Sequence, residues 1–415
     1  MRFIYNCFVY IAGFFLSIIA FFNAKIGLFV NGRKDVFKTL KEAKLNEHDV
    51  IWVHTASLGE FEQGLPIIEE LKKNYPSHKI IITFFSPSGY EVKKNSAVAD
   101  LITYLPLDTI NNATKFVQLT NPKLAIFVKY EIWPNYLSAL KSNHTHTILA
   151  SAIFNKKQIF FKNYGGFMRK SLHNFNHFFV QDKNSKKLLE SLNLNNVTLS
   201  GDTRFDRVLK ILEQDNTLDF IEQFKQNEFC IVAGSTWPED EKILVDYINN
   251  SEKNIKFIFA PHTIKKEAVS KLASSIKKKT ILYSDLPIKN SENYDVFIID
   301  TIGILTKIYN YADIAYVGGG FATGLHNTLE PAVYSIPVII GPKFSGFKEA
   351  EDLVTKKGIT SISNLSEFTT VTNKLITDAT YYSQTKSINS TYIAQNKGAT
   401  KIILEYLKKV LQNFN

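Results

Sequence analysis

Ile51-Trp-Val-His-Thr-Ala-Ser-Leu-Gly-Glu60-Phe-Glu-Gln-Gly-Leu-Pro-Ile-Ile-Glu-Glu-Leu71 is the stretch whose reading decides the fold. Its first residues are apolar and β-prone, as in a buried strand. Ser57-Leu-Gly59 then breaks the run. From Glu60 onward, Phe61, Leu65, Ile68 and Leu71 fall at helical spacing. The stretch predicts a strand, a small-residue turn, and a helix that opens on a carboxylate. Such a turn leaves backbone N–H groups free at the helix start, where they can hold an anion. It also puts Glu60 at the carboxyl end of a strand, where open α/β sheets build their sites. Glu60 has two readings here: a first-turn glutamate complementing the helix dipole, or a general base.

Downstream the same rhythm repeats. Apolar runs at Lys79–Phe84, Leu101–Tyr104, Leu124–Val128, Thr147–Ala150, Phe178–Gln181 and Val197–Ser200 alternate with amphipathic stretches. This predicts βαβ units on a parallel sheet. Polar residues crowd the strand ends: Ser57 and Gly59 after the first, Ser86-Pro-Ser88-Gly89 after the second, and Lys129-Tyr-Glu131 after the fourth. On a parallel sheet these turns share one edge. Glu131-Ile-Trp-Pro-Asn135 is expected to open a helix, with Glu131 again readable as a dipole-complementing residue. Arg204 follows the last strand, either as a solvated helix charge or as a clamp on a carboxylate or phosphate.

Residues 213–228 are polar and read as a linker. A second α/β series then starts at Phe229-Cys-Ile-Val-Ala233 and runs into Gly234-Ser235-Thr236, a turn with N–H and hydroxyl donors suited to phosphate. Phe257–Ala260 leads to Pro261-His262. Val296–Ile299 leads towards Gly303. Ala315-Tyr-Val-Gly-Gly319-Gly320-Phe-Ala-Thr-Gly-Leu-His-Asn327-Thr-Leu-Glu330-Pro331 is a strand, a glycine-rich loop and a helix. It matches neither G-x-G-x-x-G nor a Walker A motif. Asn327 and Glu330, three apart, suit a capping-box-like arrangement, with Asn327 as the cap. Alternatively the glycines hold a donor phosphate and Glu330 a sugar hydroxyl.

At 415 residues, 45% apolar and 21% charged, the chain has the size and composition of a two-domain globular protein. Cys7 and Cys230 supply neither a disulfide framework nor a metal cluster, which points to a reducing compartment. A net charge of +10 favours anionic partners; the lysines are scattered, which argues against nucleic acid. Phe3 to Phe22 is almost wholly apolar and long enough, as a helix, to span about 30 Å of bilayer core. Lys25, Arg33, Lys34, Lys38 and Lys41 follow it, so the rest of the chain is expected on the cytoplasmic side. A membrane span and an interfacial helix are not distinguished by sequence.

Together these residues resemble the 3-deoxy-D-manno-octulosonic acid (Kdo) transferases, over nearly the whole chain. The resemblance is carried by the apolar amino-terminal helix with its basic flank, His54-Thr-Ala-Ser-Leu-Gly-Glu60, Glu131-Ile-Trp-Pro-Asn135, Gly234-Ser-Thr236 and His326-Asn-Thr-Leu-Glu-Pro331. It implies a GT-B glycosyltransferase with two Rossmann-like domains facing a central cleft. Residues 1–30 would be an anchor helix and flank, 31–212 the acceptor domain, 213–228 the linker and 229–395 the CMP-sugar donor domain. Residues 396–415 would form a carboxyl-terminal helix returning to the first domain. The implied reaction moves Kdo from CMP-Kdo to a lipid A precursor (lipid IVA) in lipopolysaccharide core biosynthesis, at the cytoplasmic face of the inner membrane.

The resemblance makes Glu60 the base and Glu131 a second essential carboxylate. It groups Gly234, Ser235, Thr236, Pro261, His262, Gly303, Gly319, Gly320, Asn327 and Glu330 around the donor. Ser57, Gly59, Ser86, Ser88 and Arg204 are expected on the acceptor side. No Asp-x-Asp occurs and CMP carries one phosphate, so neither a metal nor a cofactor is expected. Two departures stand out: Ala260-Pro261-His262 where relatives often have Arg-His-Pro, and Gly303-Ile-Leu305 where they often have Gly-Glu-Leu. Rival readings are a GT-B transferase using a UDP-sugar on a lipid-linked acceptor, and a membrane-tethered nucleotide-binding protein without turnover.

Overall fold

The computed structural model describes residues Met1–Gln412. It divides into two compact units, Met1–Arg207 with the segment from Lys397 onward, and Val208–Asn396. Each unit is built on a seven-stranded, all-parallel sheet with helices on both faces. These are two Rossmann-like units of the GT-B class.

The first sheet comprises β1 (Val50–Thr55), β2 (Lys79–Phe84), β3 (Leu101–Tyr104), β4 (Pro122–Val128), β5 (His146–Ala152), β6 (His177–Val180) and β7 (Val197–Leu199). Their order is β3-β2-β1-β4-β5-β6-β7. Every residue of β1 is buried, because helices cover both faces. Alternate residues serve different cores: Trp52 joins Ile81, Phe116 and Phe127, whereas Ile51 and Val53 join Ile80, Ile82 and Ile68. The order of insertion reverses between β1 and β4, the topological switch point where ligands bind in such sheets.

The second sheet comprises β8 (Cys230–Thr236), β9 (Lys256–Pro261), β10 (Thr280–Leu282), β11 (Val296–Ile298), β12 (Ile314–Val317), β13 (Val338–Ile340) and β14 (Ile359–Ser361). Their order is β10-β11-β9-β8-β12-β13-β14, so its switch point lies between β8 and β12. The short edge strand β14 has no counterpart in the sequence reading; two of its three residues, Thr360 and Ser361, are polar, so no apolar run marks it.

Several boundaries differ from expectation. The 213–228 stretch is not a bare linker: it holds a helix, Asp219–Lys225, whose Ile221 and Phe224 are fully buried. The first unit ends at Arg207 rather than 212 and includes residues 1–30. The tail is two helices, Ala379–Asn396 and Ala399–Gln412, separated at Gly398. The second of them buries Ile403, Leu407 and Leu411 in the first unit's core. At about 1.5–3 kcal/mol per aliphatic side chain, this docking is strong. Asp206 fixes its start by accepting from the N–H groups of Gly398 and Thr400, both at 2.6 Å. The last three residues of the predicted tail lie outside the described residues.

Candidate functional site

In the first unit, the helix Leu58–Asn74 leaves β1 with Ser57 as its extended N-cap residue. Glu60 Oε2 accepts the Ser57 N–H at 2.9 Å. The helix-start role foreseen for this glutamate is therefore real, and it fixes where the carboxylate points. Glu60 is 6% exposed. Burial pushes its carboxyl up to about 7, and the Glu131 charge adds to the shift; Lys129 and the N–H groups of Ser57 and Ala56 oppose it. Beside it Gly59 is exposed, and a Cβ there would meet nothing within 4 Å. The helix start thus has open space next to a buried, half-titrated carboxyl, the setting of a general base.

Glu131 follows β4, the strand on the other side of the switch point. It does not open the next helix. That helix, Pro134–Ser142, starts three residues later, with Trp133 at its N-cap and Pro134 in its first turn. Pro134 explains the shift, since the residue before a proline is driven out of helical conformation. Trp133 Nε1 donates to Glu131 Oε2 at 2.9 Å and also lies 3.1 Å from His54 Nε2. His54 Nε2 stands 3.5 Å from the same Glu131 oxygen. His54 Nδ1 lies 2.8 Å from Thr83 Oγ1. Trp52 Nε1 donates to the same hydroxyl at 2.8 Å. Trp133, His54, Thr83 and Trp52 thus form a buried chain that fixes Glu131. The sequence reading quoted Trp133 and His54 only as members of their motifs; nothing in their spacing signals that the strand order brings them together.

The other acceptor-side residues gather on the same edge. The carbonyl of Ala56 accepts from the N–H groups of Phe85 and Ser86, tying the turn after β2 to the turn after β1. Ser86 and Ser88 share a hydroxyl contact at 2.8 Å. Arg204 is turned towards Asp202: its Nε and Nη2 lie 2.9 and 2.8 Å from Asp202 Oδ2. Any ligand for that guanidinium must compete with Asp202.

In the second unit, Gly234-Ser235-Thr236 ends β8 in a bulge, and the β8–β9 register shifts between Gly234 and Thr236. Ser235 sits at φ 54°, in the left-handed region. Such strain in a non-glycine residue gathers at functional sites. Thr236 Oγ1 donates to Glu241 Oε1 at 3.0 Å. His262 bonds through its N–H to the Thr236 carbonyl and stacks on Trp237, with centroids 4.6 Å apart. His326 completes the group: its Nε2 accepts from Trp237 Nε1 at 3.0 Å, and its ring lies 4.7 Å from His262. Burial holds the His326 imidazole below its usual value. An aromatic group of this kind, half-exposed above a hydroxyl-rich turn, suits a planar base or sugar.

The glycine-rich loop is held from beneath. Asp240, fully buried, accepts from Trp237 N–H at 2.9 Å, Tyr316 O–H at 2.7 Å and Gly319 N–H at 2.8 Å. Gly319 takes φ 92°, so only glycine sits there without strain. The loop therefore gives its Gly319 N–H to Asp240 and its Gly318 N–H to the Gly234 carbonyl. Those two donors are not offered to a phosphate, contrary to the simplest reading of the motif. Gly320 lies against Gly341: a Cβ on either would come within 2.7 Å of the other's backbone.

Asn327 does not cap the Leu329–Ala332 helix; Thr328 occupies that position. Asn327 Oδ1 accepts from the Leu329 N–H at 3.1 Å, and its amide donates to Glu330 Oε1 at 3.0 Å. Gly303 lies in an exposed turn beyond β11 at φ 99°. It shares no contact with the Trp237 group among the described bonds. Among the described residues no group of three or more His, Cys, Asp or Glu side chains is placed to hold a metal ion.

Residues 31–207 match the family model described as 3-Deoxy-D-manno-octulosonic-acid transferase (kdotransferase). The chain is 25% identical over 419 residues to a 3-deoxy-D-manno-octulosonic acid transferase of Rickettsia bellii, covering 98% of this chain and 99% of that protein. It is 29% identical over 344 residues to the protein of the same name from Aquifex aeolicus, covering 81% of this chain and 88% of that one. In fold it is similar to the UDP-GlcNAc 2-epimerase of Neisseria meningitidis, with a TM-score of 0.62 and 15% identity, over 87% of this chain and 100% of that one.

Proposed function

The chain belongs to the Kdo transferase family, and from that premise we propose that it moves Kdo from CMP-Kdo to a hydroxyl of a lipid A precursor, with Glu60 as the base. One observation carries the assignment: Glu60 is a buried carboxyl, titrating near 7, at the strand switch point of the first unit. A base with that pKa is ionised often enough at neutral pH to accept a proton, and basic enough to drive the transfer. As the acceptor oxygen attacks the anomeric carbon, its proton passes to Glu60. The bond to the CMP phosphate oxygen breaks, and CMP leaves with the electron pair. In the second unit, the Gly234-Ser-Thr236 turn and the Trp237–His262–His326 group form the donor pocket, with Asn327 and Glu330 beside it.

Glu131, fixed by Trp133, keeps a negative charge near Glu60 and so strengthens the base. Glu131→Gln is expected to shift the acid limb of the kcat/KM pH profile to lower pH, because the charge that helps raise Glu60 is gone. A limb that stays in place would detach Glu131 from this role. The parent reaction is tested by incubating the protein with CMP-Kdo and a lipid A precursor and weighing the product. Expected are one or more added Kdo masses and an equal number of moles of CMP. Turnover of a UDP-sugar, with none from CMP-Kdo, would replace this reading. The inner-membrane location follows from the lipid acceptor and from the one described helix, Arg2–Ile19, long and apolar enough to cross a bilayer.

A further inference from the structure

We propose that the amino-terminal helix, Arg2–Ile19, does not cross the bilayer but lies in its surface, with one flank on the first unit and the other in the lipid. The polar residues of its first turns, Arg2, Tyr5 and Asn6, are already committed to the protein. Arg2 Nε donates to Asn135 Oδ1 at 3.1 Å, and Tyr5 O–H donates to Asp108 Oδ2 at 2.8 Å. Asn6 Oδ1 accepts from Asn135 Nδ2 at 3.1 Å and from Ile110 N–H at 3.3 Å. Asp108 and Asn135 are each 1% exposed. About two turns further on, a Cβ on Gly13 would meet Leu107 Cδ1 at 2.8 Å, so the helix still touches the domain there.

From Arg2 to Gly13 a helix rises about 16 Å. What remains, Phe14–Ile19, rises about 9 Å, whereas a bilayer core is about 30 Å thick. The docked helix is therefore too short to cross. To free it for a span, Tyr5 and Asn6 would have to leave a buried carboxylate and amide, and Arg2 would have to enter hydrocarbon.

The opposite flank has the composition of a lipid-facing surface. Phe3, Phe8, Phe14 and Phe15 are 80%, 70%, 65% and 56% exposed, and Phe21 and Phe22 extend the patch beyond the helix. Contiguous apolar surface of this kind is rare on a soluble monomer. Interfacial helices show this division, with apolar residues on one face and the polar face elsewhere engaged. Exposed Lys25, Lys34, Lys38 and Lys41 follow, outnumbering Asp35 and Glu42 between them. That excess suits anionic headgroups. The inference stands on the first unit alone and does not require the transferase reading.

The test uses full-length protein with Cys7→Ser and Cys230→Ala and single cysteines at Phe3, Phe8, Phe15 or Phe22, each carrying an environment-sensitive fluorophore. The protein is added to vesicles of phosphatidylglycerol and phosphatidylethanolamine, with quenchers at shallow and deep acyl positions. An in-plane helix gives one shallow depth at all four sites, within about 5–10 Å of the headgroup boundary. A cysteine placed ahead of Met1 then reacts with a membrane-impermeant maleimide from the same side as the rest of the chain. Depth that peaks between Phe8 and Phe15, with the added cysteine shielded until detergent is supplied, means a span and overturns the proposal. Absence of quenching together with dimers in solution assigns the face to a second copy, and overturns it too. As a companion, Phe8→Glu with Phe15→Glu is expected to reduce vesicle flotation at least tenfold while leaving circular dichroism and transfer to detergent-dispersed acceptor unchanged. Unreduced flotation counts against the inference.

Discussion

Replacing Glu60 with glutamine is expected to lower kcat for Kdo transfer by about 10²- to 10⁴-fold, the usual contribution of a general base. Affinity for CMP-Kdo should change little, because the donor pocket proposed above belongs to the second unit. The same substitution is expected to stabilise the fold at high pH, and the sign follows from linkage. Burial pushes the Glu60 carboxyl up to about 7 in the folded protein, above the ordinary glutamate value of 4.5. Between those two values the folded protein binds more protons than the unfolded chain, so stability falls as pH rises through the window and is lowest above 7. Glutamine carries no charge to bury and escapes this loss. Its melting temperature should exceed the wild type above pH 7, and the two should converge below about pH 4.5. Wild-type turnover in the variant removes the base assignment; a variant no more stable than wild type at pH 8 removes the burial argument. Strain accepted for activity is a common bargain in active sites.

The second large effect is expected at Asp240. Asp240→Ala strips the acceptor from three donors at once: Trp237 N–H, Tyr316 O–H and Gly319 N–H. Buried donors left without partners cost about 1–3 kcal/mol each, so a loss of roughly 3–9 kcal/mol in unfolding free energy is expected. The glycine-rich loop and the Trp237 helix start lose their common tie. Donor affinity should therefore drop by about tenfold or more, read by calorimetry with CMP-Kdo. Asp240→Asn keeps one acceptor oxygen and is expected to fall between. Unaltered melting and unaltered CMP-Kdo affinity in Asp240→Ala would mean that the carboxylate tie is dispensable.

Much of the architecture was legible because parallel strands buried on both faces read as apolar runs. Val50–Thr55 and Lys79–Phe84 announce themselves in this way. Glu60 was legible too, since a carboxylate just past a strand and a small-residue turn has few places to go. What sequence did not disclose is long-range pairing. His54, Thr83 and Trp133 belong to β1, β2 and the segment after β4, and only the strand order makes them neighbours. Asp240 was not singled out in the sequence; its role comes from reaching Gly319, 79 residues on. The helix within 213–228 was missed because a polar stretch hides two apolar anchors, Ile221 and Phe224, at helical spacing. Glu131 was misplaced by three residues because its neighbour Trp133 precedes proline.

Gly320 and Gly341 close on each other at backbone distance, one after β12 and the other after β13. Neither tolerates even a methyl group unless the other gives way, and the other has no side chain left to shed. Both glycines are buried, so every substitution at either position pushes the two loops apart, and the seam has no freedom to vary one residue at a time.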